Sequence, residues 1–311
     1  MNKTFQILKK VLFTIILILI IFTVSGYTYL YILPKGPELT ETKTLKKETD
    51  SFVMYAYKNS ERKSIKVWTY KPENWKNEGR ILLMHGGGRN ADDYLDAWKE
   101  LADSNNILVV APEFENKYSK YITNDYQEGN LFTFFGSKNP KEEWTYSVIE
   151  NIFDDIKKNN NITNETYDIF GHSAGGQFVH RMIMLMPEAR IKTAIAANAG
   201  LYTFPDENLE YPYGSKNTPI TDNSIKNSFK KHLIILLGEN DNDPKLGTFR
   251  ETELAMKQGA HRLERGSNFY QKSLELATQT SSIFNWEVDT IEKVGHNYRK
   301  MSSQSVKYLS N

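Results

Sequence analysis

The hydrophobic positions of this chain fall into three patterns: one unbroken apolar run, short strand-like segments, and helices with apolar residues every three to four positions. The run comes first. From Val11 to Pro34 there is no charged residue, and about 20 apolar residues suffice to cross a bilayer as a helix. Lys3, Lys9 and Lys10 precede it, and Tyr27, Tyr29 and Tyr31 stand at its far end like an interfacial aromatic belt. Residues 11–33 are therefore expected to form a transmembrane signal anchor, with residues 1–10 in the cytoplasm. Lys35, Lys43, Lys46 and Lys47 weaken that orientation by following the run. A cleaved signal peptide is the competing reading, with Val24-Ser25-Gly26 as its best processing site. Either way the remaining chain is exported. Residues 34–50, with two prolines and alternating Lys and Glu, read as a polar linker.

From Ser51 onward the pattern is that of a domain. Ser51–Tyr57 and Ser64–Tyr70 alternate with aromatic and β-branched residues on either side of a polar turn, Lys58–Lys63, and predict an antiparallel hairpin. Arg80–Met84, Ile107–Val110, Tyr167–Phe170, Lys192–Ala197, His232–Leu237 and Phe284–Ile291 are short apolar runs. Between them lie helical patterns. Asn90–Ala102 has Asn90 as N-cap and Asp93 at the capping-box position. Glu142–Lys158 repeats apolar residues at Trp144, Val148, Ile152 and Ile156, and Gln177–Met186 is stopped by Pro187. Continuous apolar strands separated by helices predict a mostly parallel sheet covered on both faces. Two long insertions, Glu113–Lys141 and Leu201–Lys231, interrupt it. Both are rich in Tyr and Phe, and substrate-contacting loops belong beyond the strands' carboxyl ends.

Composition narrows the chemistry. A net charge of +1 over 311 residues gives no support to a nucleic-acid partner. The chain contains no cysteine, which excludes disulfides, thiolate metal sites and a cysteine nucleophile together. What remains is Gly171-His172-Ser173-Ala174-Gly175, a G-x-S-x-G pentapeptide lying where a predicted strand meets a predicted helix. Such a turn lifts a serine hydroxyl clear of the sheet, and glycine is needed two residues to either side because a Cβ there would collide with the turn.

An activated serine needs a base, an acid that orients the base, and donors for a developing oxyanion. Of six histidines, only His296 follows a predicted strand directly in a loop, where it can swing over the serine. The strand His232–Leu237 runs into Gly238-Glu239-Asn240-Asp241-Asn242-Asp243. Asp241 is the preferred acid, Asp243 the alternate and Glu239 a third option. Ala174, at the start of the helix, supplies one backbone N–H, and the loop His85-Gly86-Gly87-Gly88 supplies a second from Gly87, with Gly86 as its alternate. Tyr202, Phe204, Tyr211 and Tyr213 are placed either to wall an acyl pocket or to pack their loop onto the domain. Arg89 is placed to meet an anionic group or to lie in solvent.

The order Ser173, Asp241, His296, behind a glycine-rich loop and a G-x-S-x-G turn, resembles the α/β-hydrolase superfamily. Gly171–Gly176 and His85–Gly88 are most similar to the poly(3-hydroxybutyrate)-depolymerase and feruloyl-esterase-like lineage of secreted esterases. Two departures stand out: disulfides are frequent in that lineage and absent here, and Arg89-Asn90 follows the glycines where hormone-sensitive-lipase relatives carry an aromatic residue. The resemblance implies an α/β-hydrolase domain over residues 51–311 and hydrolysis through an acyl-serine intermediate, with no metal or organic cofactor. The expected function is that of a membrane-tethered serine esterase acting outside the cytoplasm on a small or polymeric ester. Two alternatives are a serine peptidase of the prolyl-oligopeptidase type and a non-catalytic binding protein on the same fold.

Overall fold

Alternate residues of the central strands feed two different cores, and this dictates the layering. In β5 (Tyr167–His172) Ile169 packs into one cluster and Phe170 into the other. In β6 (Ile191–Ala197) Ala194 and Ala196 oppose Ile195 and Ala197, and in β7 (His232–Gly238) Leu233 and Ile235 oppose Ile234 and Leu236. A strand buried on both faces carries a nearly continuous run of apolar side chains, as these do at Ile169–Phe170, Ala194–Ala197 and Leu233–Leu237. The computed structural model describes residues 3–33, 35–77, 79–117 and 121–309. Residue 34 of the expected linker and residues 118–120 of the first insertion lie outside the described residues.

Among the described residues one eight-stranded sheet forms, in the order β1-β2-β4-β3-β5-β6-β7-β8. The hairpin of β1 (Glu48–Tyr57) and β2 (Ser60–Lys71) is antiparallel, with Phe52 opposite Val67, and β2 joins β4 (Leu108–Pro112) antiparallel. β3 (Arg80–Met84) and β4 through β8 (Trp286–Ile291) are parallel. The carboxyl ends of these strands consequently face one way, and that is where a site can assemble.

Helices cover both faces. α1 (Lys3–Tyr27) precedes the domain, and α2 (Ala91–Asn105) lays Ala91, Leu95, Trp98 and Ala102 on one core. A single turn, α3 (Thr123–Tyr126), lies in the first insertion. α4 (Thr145–Asn160) buries Val148, Ile149, Ile152, Phe153 and Ile156 on the other core, and α5 (Ala174–Leu185) follows β5. The series closes with α6 (Asp222–Phe229), the turn α7 (Glu253–Met256), α8 (Arg262–Gln279) and α9 (Tyr298–Ser305).

Several boundaries differ from the sequence reading. The hairpin turn is Lys58-Asn59 alone, because β2 begins at Ser60. Asn90 does precede α2, but its side chain makes no cap: its amide donates to Asp93 at 2.7 Å instead of accepting from the backbone. The expected linker is not free of the domain. Lys35 pairs with β2 through Arg62 and Ser64, Leu45 is buried in the core, and β1 starts at Glu48. The apolar helix starts at Lys3 and ends at Tyr27, where a π-helical stretch, Thr28–Ile32, takes over. It is long and apolar enough to cross a membrane and buries no residue, as either a membrane anchor or a signal sequence would.

The tightest packing lies where β5 meets α5. A Cβ on Gly175 would overlap the carbonyl of Met84 at the end of β3, and one on Gly171 would overlap the carbonyl of Gly175. Gly87 has open space around the same position. Gly175→Ala is therefore expected to cost about 3 kcal/mol, the upper end of overpacking penalties, and to lower the melting temperature or the folded yield. Gly87→Ala should stay within about 0.5 kcal/mol, as exposed substitutions do. Thermal unfolding of the two variants checks the contrast.

Candidate active site

Ser173 sits between β5 and α5 with φ 59° and ψ −113°, a conformation that costs a non-glycine residue about 1–3 kcal/mol. Its N–H is held by the carbonyl of Ala197 and its own carbonyl receives Gln177 N–H, so the turn is pinned from both sides. The hydroxyl opens into a cleft of about 600 Å³ lined by Gly86, Gly87, Ala174, Gln177, Arg89 and Arg250 among others. Both expected backbone donors, Gly87 and Ala174, border this cleft, and so does the alternate Gly86.

His296 comes from the loop after β8. Its Nε2 lies 3.0 Å from Ser173 Oγ and its Nδ1 2.7 Å from Asp241 Oδ2. With the Nδ1 proton donated to the carboxylate, Nε2 is free to accept from the serine hydroxyl. The loops that bring Asp241 and His296 together are laced by their backbones: Asn240 N–H donates to Val294 O at 2.8 Å, and Glu239 N–H to Ile291 O at 3.0 Å.

The alternatives for the acid lie elsewhere. Asp243 is exposed, and its carboxylate accepts from the backbone N–H of Lys245 two residues on. Glu239, also exposed, accepts from Lys293 N–H. Asp241 is fully buried, and its second oxygen accepts from Arg262 Nη1 at 3.3 Å. Arg262, at the start of α8, is buried too and also donates to Thr248 O, so it ties the acid to the loop that lines the cleft through Gly247 and Thr248. Burial pulls the Arg262 pKa down while Asp241 opposes the shift.

Sequence reasoning did not find Arg262, because an arginine among Lys257 and Arg265 reads as a solvated helix face. It missed Asn198 as well. This buried residue, at φ 46°, receives Gly238 N–H on Oδ1 at 2.7 Å and donates to Gly295 O at 3.2 Å, bracing the loops that carry Asp241 and His296. Neither residue lies in a local motif; a tertiary contact reveals each.

The other histidines are structural in their contacts. His85 is buried, with Nδ1 donating to Gly86 O and Nε2 accepting from Phe114 N–H, so it folds the first insertion against the glycine loop. His180 on α5 donates to Gly176 O and accepts from Thr203 N–H, tying down the second insertion. His261 caps α8, and His232 pairs with Glu287 at the sheet edge. His172 is buried behind the serine, with its ring centroid 4.5 Å from that of His296 and its Nδ1 3.2 Å from the Tyr94 hydroxyl. Burial first, and then the proximity of His296 and Arg262, hold its pKa well below the usual range.

The aromatic residues of the second insertion pack it down and do not line this cleft. Tyr202 stacks on Phe269 at 4.7 Å, Phe204 meets the same ring edge-on, Tyr211 donates to Glu128 O and Tyr213 bonds Thr252. Arg89 is half-buried, with its guanidinium 4.5 Å from the centre of the Tyr126 ring and donating to Phe114 O. Among the described residues no three His, Cys, Asp or Glu side chains gather to hold a metal ion.

Fold and site together define a class. No protein-family profile matches the chain, and no curated protein does. Solved structures do. Poly(aspartic acid) hydrolase-1 from Sphingomonas sp. KT-1 is 38% identical over 85% of this chain and 99% of its own, with a TM-score of 0.81. LpqC, a poly(3-hydroxybutyrate) depolymerase from Bordetella parapertussis, is 27% identical over 83% and 88%, with a TM-score of 0.79. An S-formylglutathione hydrolase from Agrobacterium tumefaciens, at 14% identity and a TM-score of 0.53, shares the fold alone. The chain belongs to the α/β-hydrolase superfamily, in the serine-hydrolase lineage of the poly(3-hydroxybutyrate) depolymerases. It is a hydrolase.

The buried histidines predict a pH dependence of stability. Burial lowers the pKa of His85 to about 3 and those of His172 and His180 well below the ordinary value. Below about pH 6.5 the unfolded chain binds protons that the folded chain refuses, so stability falls with pH by about 1.4 kcal/mol per unit per site. The loss continues down to each depressed pKa. His180→Gln keeps one donor and one acceptor but titrates nowhere in this range. Urea unfolding of the detergent-solubilised chain at pH 6 and pH 5 should show the variant losing about 1 kcal/mol less than the parent between the two.

Proposed function

We propose that this protein is a serine hydrolase in which Ser173 attacks an acyl carbonyl and forms an acyl-serine intermediate. His296 takes the hydroxyl proton on Nε2 and returns it to the leaving group. Asp241 holds the imidazole in the required tautomer and stabilises its charged form. The backbone N–H groups of Gly87 and Ala174 bind the oxyanion, helped by the N-terminus of α5. The observation that carries this reading is the continuous relay from Ser173 Oγ through His296 to Asp241, at 3.0 Å and 2.7 Å, beneath an open cleft. Arg262 and Asn198 are positioning residues in it: one clamps the carboxylate, the other braces the loops.

Carboxylic esters are the proposed substrates, supported by the ester polymer named for the Bordetella relative. A second reading, amide hydrolysis in an acidic polymer, has specific support. The more similar of these two relatives is a poly(aspartic acid) hydrolase, and the charged side chains lining this cleft are two arginines, Arg89 and Arg250. The apolar helix α1 is proposed to anchor the domain (residues 51–311, extended back to Lys35 by the packing above) to a membrane, with the cleft on the extracytoplasmic side.

Three measurements test the chemistry. Ser173→Ala should abolish labelling by a fluorophosphonate probe; labelling that persists would remove Ser173 as nucleophile. Asp241→Asn should lower turnover by about 10⁴-fold, as in other Ser-His-Asp sites, while Asp243→Asn leaves it unchanged; the reverse result would move the acid. A panel of p-nitrophenyl esters, a feruloyl ester, an aminoacyl anilide and a poly(aspartic acid) separates the substrates, and cleavage of the amides without ester preference would favour the second reading.

A further inference from the structure

The first insertion carries a feature that the proposed chemistry does not use. Residues 131–139 fold into a tight hairpin: Phe132 bridges Lys138, Thr133 N–H donates to Ser137 O at 2.7 Å, and Asn139 N–H donates to Leu131 O at 2.8 Å. A turn closed by Gly136 N–H to Thr133 O, with Gly136 at φ 81°, puts Phe134 and Phe135 at its two central positions. Those positions ordinarily take Pro, Asp, Asn, Ser or Gly. Here they carry phenylalanines that are 86% and 89% exposed and packed edge-on against each other at 5.4 Å. The base is anchored by the buried Leu131, by Phe132 against Tyr211, and by Trp144 donating to Asn139 O. A rigid stem thus holds two adjacent aromatic rings in water, which folding alone gives no reason to do.

The occupant follows from where the tether meets the domain. α1 ends at Tyr27, and Ile32 and Leu33 remain exposed and apolar. Two residues later Lys35 is bonded to β2, donating to Arg62 O at 2.8 Å and accepting from Ser64 N–H at 2.9 Å. Two residues of chain span at most about 7 Å, so β2 at Arg62–Ser64 is held close to Leu33, the end of the apolar run that begins in α1. Between them Lys63 reaches the first insertion: its ammonium lies 3.8 Å from the centre of the Tyr121 ring and 3.6 Å from Asp125. The insertion that carries the aromatic tip is therefore fastened, through Tyr121 and Asp125, to the strand that the tether joins. The same insertion lines the cleft through Asn116, Thr123 and Gln127.

We infer that Phe134 and Phe135 insert into the interfacial layer of the bilayer that α1 spans, making a second membrane contact that sets the height and orientation of the active-site cleft above the lipid. Aromatic side chains suit that layer, and the two rings offer about 150–250 Å² each to bury there. The inference rests on the reading of α1 as a membrane span.

The absence of native cysteine makes the test direct. The full-length chain carrying Phe135→Cys, or Gln304→Cys on the exposed face of α9 as an aqueous reference, is labelled with a nitroxide and reconstituted into phosphatidylcholine vesicles. The expected result is that the label at 135 collides more with apolar oxygen than with a water-soluble nickel chelate, and the label at 304 shows the opposite. A chain that resists carbonate extraction while the label at 135 stays aqueous would overturn the tip contact and leave the span intact. A chain extracted by carbonate would overturn the span and the inference with it. A label that is aqueous on vesicles but immobilised by poly(3-hydroxybutyrate) particles would assign the tip to a polymer surface and refute the lipid contact.

Discussion

The close approach of α5 to the ends of β3 and β6 is the constraint on which the rest of the site depends. No Cβ fits at Gly171 or Gly175, and one on Gly176 would come within 2.6 Å of Ala197 O. With the helix seated this deeply, the chain can pass from strand to helix only through a residue at positive φ, and that residue is Ser173. The backbone strain of about 1–3 kcal/mol is sustained by the packing of α5, whose apolar face includes Phe178, Val179, Met182 and Ile183, all fully buried. Serine is consequently held by its backbone and not by its own side chain, which leaves the hydroxyl free for chemistry.

The second requirement is electrostatic. A carboxylate with no exposed surface is costly unless it is paired and hydrogen-bonded. Asp241 meets this with Arg262 on one oxygen and His296 on the other. The arrangement fixes the direction of the imidazole, because each oxygen already has its partner. It also links Asp241 to the cleft wall, since the same guanidinium bonds Thr248 O. Buried neutral histidines complete the surroundings: His85 and His180 each use both ring nitrogens to join an insertion to the rigid core, and His172 packs uncharged beside His296.

The insertions take the remaining burden. Each is fastened by buried polar contacts, among them Arg181 to Thr203 and Gln127 O, and Arg265 to Gly200 O and Arg250 O. They shape a cleft between them instead of lying open, and the first also carries the exposed aromatic hairpin.

Much of this is legible locally. Alternating or continuous apolar residues mark strands because side-chain direction repeats every two residues, and β3 spans the expected Arg80–Met84 while β6 and β7 differ from expectation by one residue at one end. The glycine spacing around Ser173 is equally local. α8 was not delimited in the pattern because its inward face consists of Arg262, Arg265, Gly266, Phe269, Ser273 and Ala277, a helical period written mostly in residues that are not apolar. By itself, then, the sequence determined the layered α/β architecture, the strand-to-helix turn and the small set of residues from which a relay can be built. The tertiary structure decided which members of that set meet. Asp241 and Asp243 are two residues apart and chemically alike, yet hydrogen bonds between loops 55 residues apart turn one inward to His296 and Arg262 and leave the other in solvent.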